Sequence, residues 1–172
     1  MAATLHGREL RAWAAYIESS LRLETLLDEA LRTEAGLTLF DYHVLVLLSE
    51  APQHRLRMSD LADRMVFSRS RITYQVTSMH KRGLVVREPA PDDRRGYRAV
   101  LTATGLQTLR RAAPLHAASV RTLFLDHIRA DELPHIERVF TRLQAGLRTA
   151  SRASQRKEHT VTHAVDSEER SR

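Results

Sequence analysis

Apolar residues along this chain recur mostly at three- and four-residue steps. Leu10, Trp13, Ile17 and Leu21, continued by Leu23, Leu27 and Leu31, predict a helix from Arg8 to about Arg32 that Gly36 ends. Thr38 caps a second helix, with Asp41 in capping-box position, Val44, Leu45, Leu47 and Leu48 apolar, and Pro52 beyond its end. Ser59 reads as the next cap, opening a short helix with Leu61, Ala62 and Met65 inward. After a tight turn, Ser68 caps a fourth helix with Ile72, Val76 and Met79 inward and Gly83 as its stop. Two short helices across a tight turn make a helix-turn-helix.

The period then changes to that of a strand. Leu84–Glu88 and Tyr97–Leu101 are β-prone runs on either side of the polar segment PAPDDRRG, and predict a hairpin with a long charged tip. Helix-turn-helix plus hairpin is a winged helix. Thr102 caps a long helix, apolar at Leu106, Leu109, Ala113, His116, Val120, Leu123 and Phe124 and carrying Pro114, which should kink it. Asp131 reads as the cap of a last helix with Leu133, Ile136, Phe140, Leu143 and Leu147 on one face. The expected fold is mainly α with a small β-wing. Residues 1–36 would form an N-terminal dimerisation helix, 37–101 a winged helix-turn-helix lobe, 102–148 C-terminal dimerisation helices, and 149–172 a polar tail with the composition of disorder.

Charge sharpens this picture. The chain of 172 residues carries +6 overall, and eleven Lys/Arg oppose five Asp/Glu between His54 and Arg98. Elsewhere the two signs balance, so the whole excess sits on the winged segment, as a polyanion-binding footprint would. The absence of cysteine excludes thiolate zinc clusters and thiol switches. No run is long and apolar enough for a membrane span and the N-terminus does not read as a signal peptide, so a cytoplasmic location is expected. Gly-rich phosphate loops, nucleophile elbows and metal-hydrolase motifs are missing, so no enzyme and no cofactor are expected. The histidines at 43, 116, 127 and 135 read as core, interface or surface residues, not as metal ligands.

In a helix-turn-helix the second helix enters the major groove. Its candidate DNA contacts here are Ser68, Arg69, Ser70, Arg71, Thr73, Tyr74 and Thr77, with Gln75, Lys81 and Arg82 assigned to the phosphate backbone. Arg94 and Arg95 at the wing tip suit a narrow, negative minor groove, while Asp92 and Asp93 would shape the tip through local salt bridges.

Three stretches resemble the MarR family of bacterial regulators: S-x-L-A-x-R-M at Ser59–Met65, K-R-G-L-V at Lys81–Val85, and P-D-D-R-R followed by L-T-x-x-G at Leu101–Gly105. The likeness runs from about Arg8 to Leu147, although Arg69 and Tyr74 stand where the family varies, so it carries no operator sequence. It implies a two-fold homodimer that represses transcription from a pseudo-palindromic site on double-stranded DNA. It also implies release by a small aromatic or phenolic effector in a cleft lined here by Trp13, Tyr16, His43, Leu47 and His116. The plainer reading of those five is core and interface. The alternatives to a sequence-specific regulator are a low-specificity architectural DNA binder and a winged helix reused for protein contacts.

Overall fold

The computed structural model describes residues 4–90 and 93–150, and for residues 93–95 the backbone alone. The chain divides into two units, Met1–Asp126 and His127–Arg172.

The first unit opens with α1 (Gly7–Ala35), closed by the left-handed Gly36 (φ 65°), whose N–H donates to the Arg32 carbonyl while the Leu37 N–H donates to that of Leu31. Helix α2 (Leu39–Glu50) starts with the capping box expected of Thr38 and Asp41. Its apolar residues Val44, Leu45 and Leu48 are fully buried. A 3-10 turn (Pro52–His54) leads into a short strand, β1 (Arg55–Arg57), which periodicity does not predict. Helix α3 (Met58–Met65) follows without a break, so its N-cap is Arg57 and not Ser59. Extended backbone at the end of β1 places the start of α3; the Ser59 hydroxyl lies inside the first turn, 3.5 Å from Asp60.

Helix α4 (Arg69–Lys81) is capped by Ser68, which accepts from the Arg71 N–H at 3.3 Å. Its Ile72, Val76 and Met79 go into one core with Leu31, Leu45, Leu48 and Leu61. Strands β2 (Val85–Ala90) and β3 (Asp93–Leu101) form the wing and reach further toward its tip than the alternation suggests. The sheet order is β1-β3-β2, with Leu56 opposite Ala99 and Val85 opposite Leu101. The register shifts between Pro89, opposite Tyr97, and Ala90, opposite Asp93. The expected long loop is therefore mostly strand. Thr102 caps α5 (Ala103–Leu123) by accepting from Gly105 N–H at 2.9 Å, and the helix runs on through Pro114.

The second unit contains a helix over residues 133–150, designated α6. Asp131 does not act as the simple cap expected of it. Its carboxylate pairs with the Arg129 guanidinium at 2.7 Å, and Glu132 accepts from the Arg129 N–H. Leu133, Val139, Leu143 and Leu147 are exposed along this helix. The polar tail expected from residue 149 lies, beyond residue 150, outside the described residues.

Candidate nucleic-acid interface

The apolar stripe Ile72–Val76–Met79 sets the rotation of α4, because all three are completely buried. Ser70, the adjacent pair Thr73 and Tyr74, Thr77 and Lys81 recur at three- to four-residue spacing on the opposite side. Arg69, Ser70, Arg71, Thr73, Tyr74 and Lys81 are exposed, Tyr74 to 77%. Ser68 bonds through its hydroxyl to Ser70 Oγ at 3.0 Å, so the two serines share one site at the helix start. The helix-start N–H groups and two arginines on the first turn form a surface suited to phosphate and base edges.

Arg71 is more constrained than a surface arginine. Its guanidinium lies 4.1 Å from the Phe67 ring centre and 5.8 Å from that of Phe40, and the two rings are themselves 5.0 Å apart. Such a stack limits the rotamers of the side chain before any partner arrives. The aromatic platform escaped the sequence reading because Phe40 belongs to α2, some thirty residues away.

Thr77 is half-buried. Its hydroxyl donates to the Thr73 carbonyl at 2.7 Å and lies 3.5 Å from Arg87 Nη1. Arg87 on β2 also packs its guanidinium 4.7 Å from the Tyr97 ring centre on β3. This residue links recognition helix to wing, and only the pairing of the strands reveals it.

Two residues assigned to the DNA backbone face elsewhere. Gln75 Nε2 donates to Asp41 Oδ1 at 2.6 Å, and Arg82 Nη1 donates to Asp41 Oδ2 at 2.7 Å. Their donors serve a carboxylate buried inside the lobe. At the wing, Arg94 and Arg95 belong to β3 by backbone, but their side chains and that of Asp93, with all of Asp92, lie outside the described residues.

The five cleft candidates fall into separate groups. His116 on α5 packs against Tyr42 of α2, with ring centres 4.4 Å apart and the rings tilted by 45°, and the charge of His43 acts on His116. Burial pushes His116 below its ordinary value, and His43 adds to the effect. His43 is also lowered by desolvation, opposed by the Glu24 carboxylate. Trp13 and Tyr16 pair with each other on α1, ring centres 5.8 Å apart. Tyr16 precedes Glu24 by eight residues, about 12 Å of helix rise. Leu47 is half-buried against the main core. No group of three or more metal-ligating side chains occurs among the described residues.

The sequence profile of the MarR family matches residues 35–96, from the end of α1 to the wing. The crystal structure of AbsC, a MarR family transcriptional regulator from Streptomyces coelicolor, is 40% identical. The match covers 86% of this chain and 99% of that one, with a TM-score of 0.80. The chain belongs to the MarR family. A second S. coelicolor regulator of the family, Sco3205, solved in complex with DNA, is 36% identical over 84% of this chain and 91% of its own, again at a TM-score of 0.80. Among curated sequences, the HTH-type transcriptional regulator YkoM of Bacillus subtilis is 29% identical over 92 residues, 53% of this chain and 58% of that protein. As a MarR family member, the protein is a winged-helix transcriptional regulator of a DNA-binding, non-enzymatic class. No described helix is long and apolar enough to cross a membrane.

Proposed function

We propose that the protein is a sequence-specific repressor that binds a pseudo-palindromic operator as a two-fold homodimer. The observation that carries this reading is α4. Its apolar side is sunk in the core, and its opposite side offers Ser68, Arg69, Ser70, Arg71, Thr73 and Tyr74 at the helix start, where base edges are met. Thr77 and Lys81 continue that side, and Arg94 and Arg95 would take the wing to the adjacent minor groove.

The dimer would use the N-terminal helix and the segment 102–148, leaving 37–101 as the DNA-binding lobe. Leu10, Trp13 and Leu21 on α1 are each about half exposed, as are Leu143 and Leu147 on α6. Apolar faces of that extent are normally covered in a stable protein. Leu143→Asp should shift the protein from dimer to monomer in sedimentation, because a dimer would have to bury an unpaired charge. An unaltered dimer would remove α6 from the interface.

The effector would be a small aromatic or phenolic anion beside Tyr42, His43 and His116. His116 Nδ1 is buried there and has no hydrogen-bond partner among the described residues. Release would follow from differential affinity for two lobe spacings.

The deciding experiment selects genomic fragments with purified protein, then measures the winners against a scrambled duplex at two salt concentrations. A pseudo-palindrome bound about a thousandfold more tightly than the scramble is expected. Equal affinity for every duplex would replace this reading with that of an architectural binder.

A further inference from the structure

The carboxylate of Asp41 is fully buried, and contact with DNA does not account for it. Capping of α2 accounts for part of its surroundings, since Oδ2 accepts from the Thr38 N–H at 3.0 Å. Capping does not require Gln75 and Arg82, which donate to the same carboxylate at 2.6 and 2.7 Å. Arg82 also donates through Nη2 to the Gly36 carbonyl at 2.6 Å, which is the left-handed residue that ends α1. A second carboxylate locks the same joint. Asp28 of α1 accepts from the Leu39 N–H at the start of α2 at 2.7 Å, and pairs with Arg32.

The recognition helix is therefore held at two places, at Gln75 in its middle and at Arg82 just past its last residue, two turns apart. A single attachment leaves a helix free to rotate and to slide. Two attachments to one carboxylate, plus one to the Gly36 carbonyl, hold both motions. The apolar contacts of Ile72, Val76 and Met79 do not replace them, because burial is non-directional while hydrogen bonds fix angle and distance. The other end of this linkage is the C-terminus of α1.

We propose that Asp41, gripped by Gln75 and Arg82, is a positioning residue that sets which half-site spacing the dimer accepts. This rests on the reading of the protein as an operator-binding dimer whose two copies join through α1. One base pair of extra spacing moves a half-site by about 3.4 Å and turns it by roughly a tenth of a helical turn. A lobe held rigidly to the dimer base rejects that displacement; a loosely held lobe follows it.

The test uses the full chain and the selected operator, with its half-sites moved one or two base pairs closer or further apart. The variant is Asp41→Asn with Arg82→Met, which removes the buried charge together with its cation and keeps an acceptor for the α2 cap. The wild type should lose at least about tenfold in affinity for each displaced duplex. In the double variant that penalty should shrink to roughly threefold or less, with lower affinity for the native spacing and unchanged affinity for scrambled duplex. If all duplexes weaken by one common factor, Asp41 contributes stability alone and the proposal is overturned. If the double variant does not fold, Gln75→Met leaves the cap and ion pair intact, and should flatten the spacing profile in the same direction. An unflattened profile there overturns the proposal as well, and a loss on scrambled duplex would return Gln75 to the phosphate backbone. A wild type with no preference for any operator refutes the functional reading first, before the spacing series is reached.

Discussion

Substituting Gly105 by alanine should destabilise the protein far more than a single methyl group normally does. This glycine closes the L-T-x-x-G stretch, three residues after the Thr102 cap of α5. A methyl group built there would fall well inside van der Waals distance of the Leu84 carbonyl oxygen, 3.0 Å from its carbon and 2.9 Å from Leu101 Cδ1. The Leu84 carbonyl is backbone and is already engaged. It accepts from the Thr102 N–H at 3.2 Å and from the Thr102 hydroxyl at 3.0 Å. Relief requires α5 to move away from the start of β2 by on the order of 1 Å, an overpacking strain of about 1–3 kcal/mol. Loss of the two Thr102 bonds adds about 1 kcal/mol each. The better helix propensity of alanine returns about 1 kcal/mol, leaving a net loss of roughly 2–4 kcal/mol. For a chain of this size that lowers Tm by roughly 4–16 °C. The internal control is Gly146→Ala on α6, where the new methyl group meets nothing within 4 Å. That variant should hold or slightly raise Tm, by propensity alone. Calorimetry of both variants is sufficient. A Gly105→Ala protein melting within a degree or two of wild type would refute the close approach of α5 to Leu84.

Two further substitutions probe strain and protonation. Val66 ends α3 in the left-handed region (φ 57°, ψ 39°) with 75% of its surface exposed, so its side chain gains little burial against a backbone cost of about 1–2 kcal/mol. Val66→Gly should raise stability by up to about 1 kcal/mol after the greater chain entropy of glycine is counted, read as a higher urea midpoint; a lower midpoint would show that the valine is at ease there. His43 and His116 both lie below the ordinary value of 6.5 in the folded chain, so the unfolded chain takes up their protons first as pH falls. Their contribution is complete above about pH 6.5 and is lost as pH falls through the window below it. His116→Phe should therefore flatten the decline of Tm between pH 7 and 5.5, and a decline as steep as that of wild type would assign it to other groups.

The parts of this molecule that were legible in its sequence are those whose causes lie three or four residues apart. Thr38 with Asp41, Ser68 with the Arg71 N–H, Thr102 with Gly105, and the left-handed Gly36 each announce a helix boundary locally. The outward face of α4 was legible for the same reason, since Ile72, Val76 and Met79 fix its phase. Strand β1 was not, because three residues have no period of their own and are strand only through pairing with β3. Arg57 displaced Ser59 as the α3 cap through that same pairing. The hairpin is legible, but its tip reads as a longer loop than it is, because Pro89 and the charged run disguise residues that extend the two strands.

Gln75 and Arg82 show the deeper limit. Each is a polar residue on a basic helix, and nothing nearby in sequence separates a donor aimed at phosphate from one aimed inward. What separates them is Asp41, 34 and 41 residues away. Asp41 in turn concealed its second role behind its first, because a capping box fully explains an acid at that position. Its burial breaks the ambiguity. A capping carboxylate at a surface helix end can remain in water, whereas one withdrawn completely must be supplied with a cation and further donors or lose its charge. Once Asp41 lies beneath the recognition helix, that helix has to turn Gln75 and Arg82 toward it. The positive face left for DNA is then smaller than the count of basic residues suggests, but it is held in a defined orientation. For the proposed operator-binding dimer, which would have to match two half-sites at once, fixed orientation would matter more than two additional phosphate contacts.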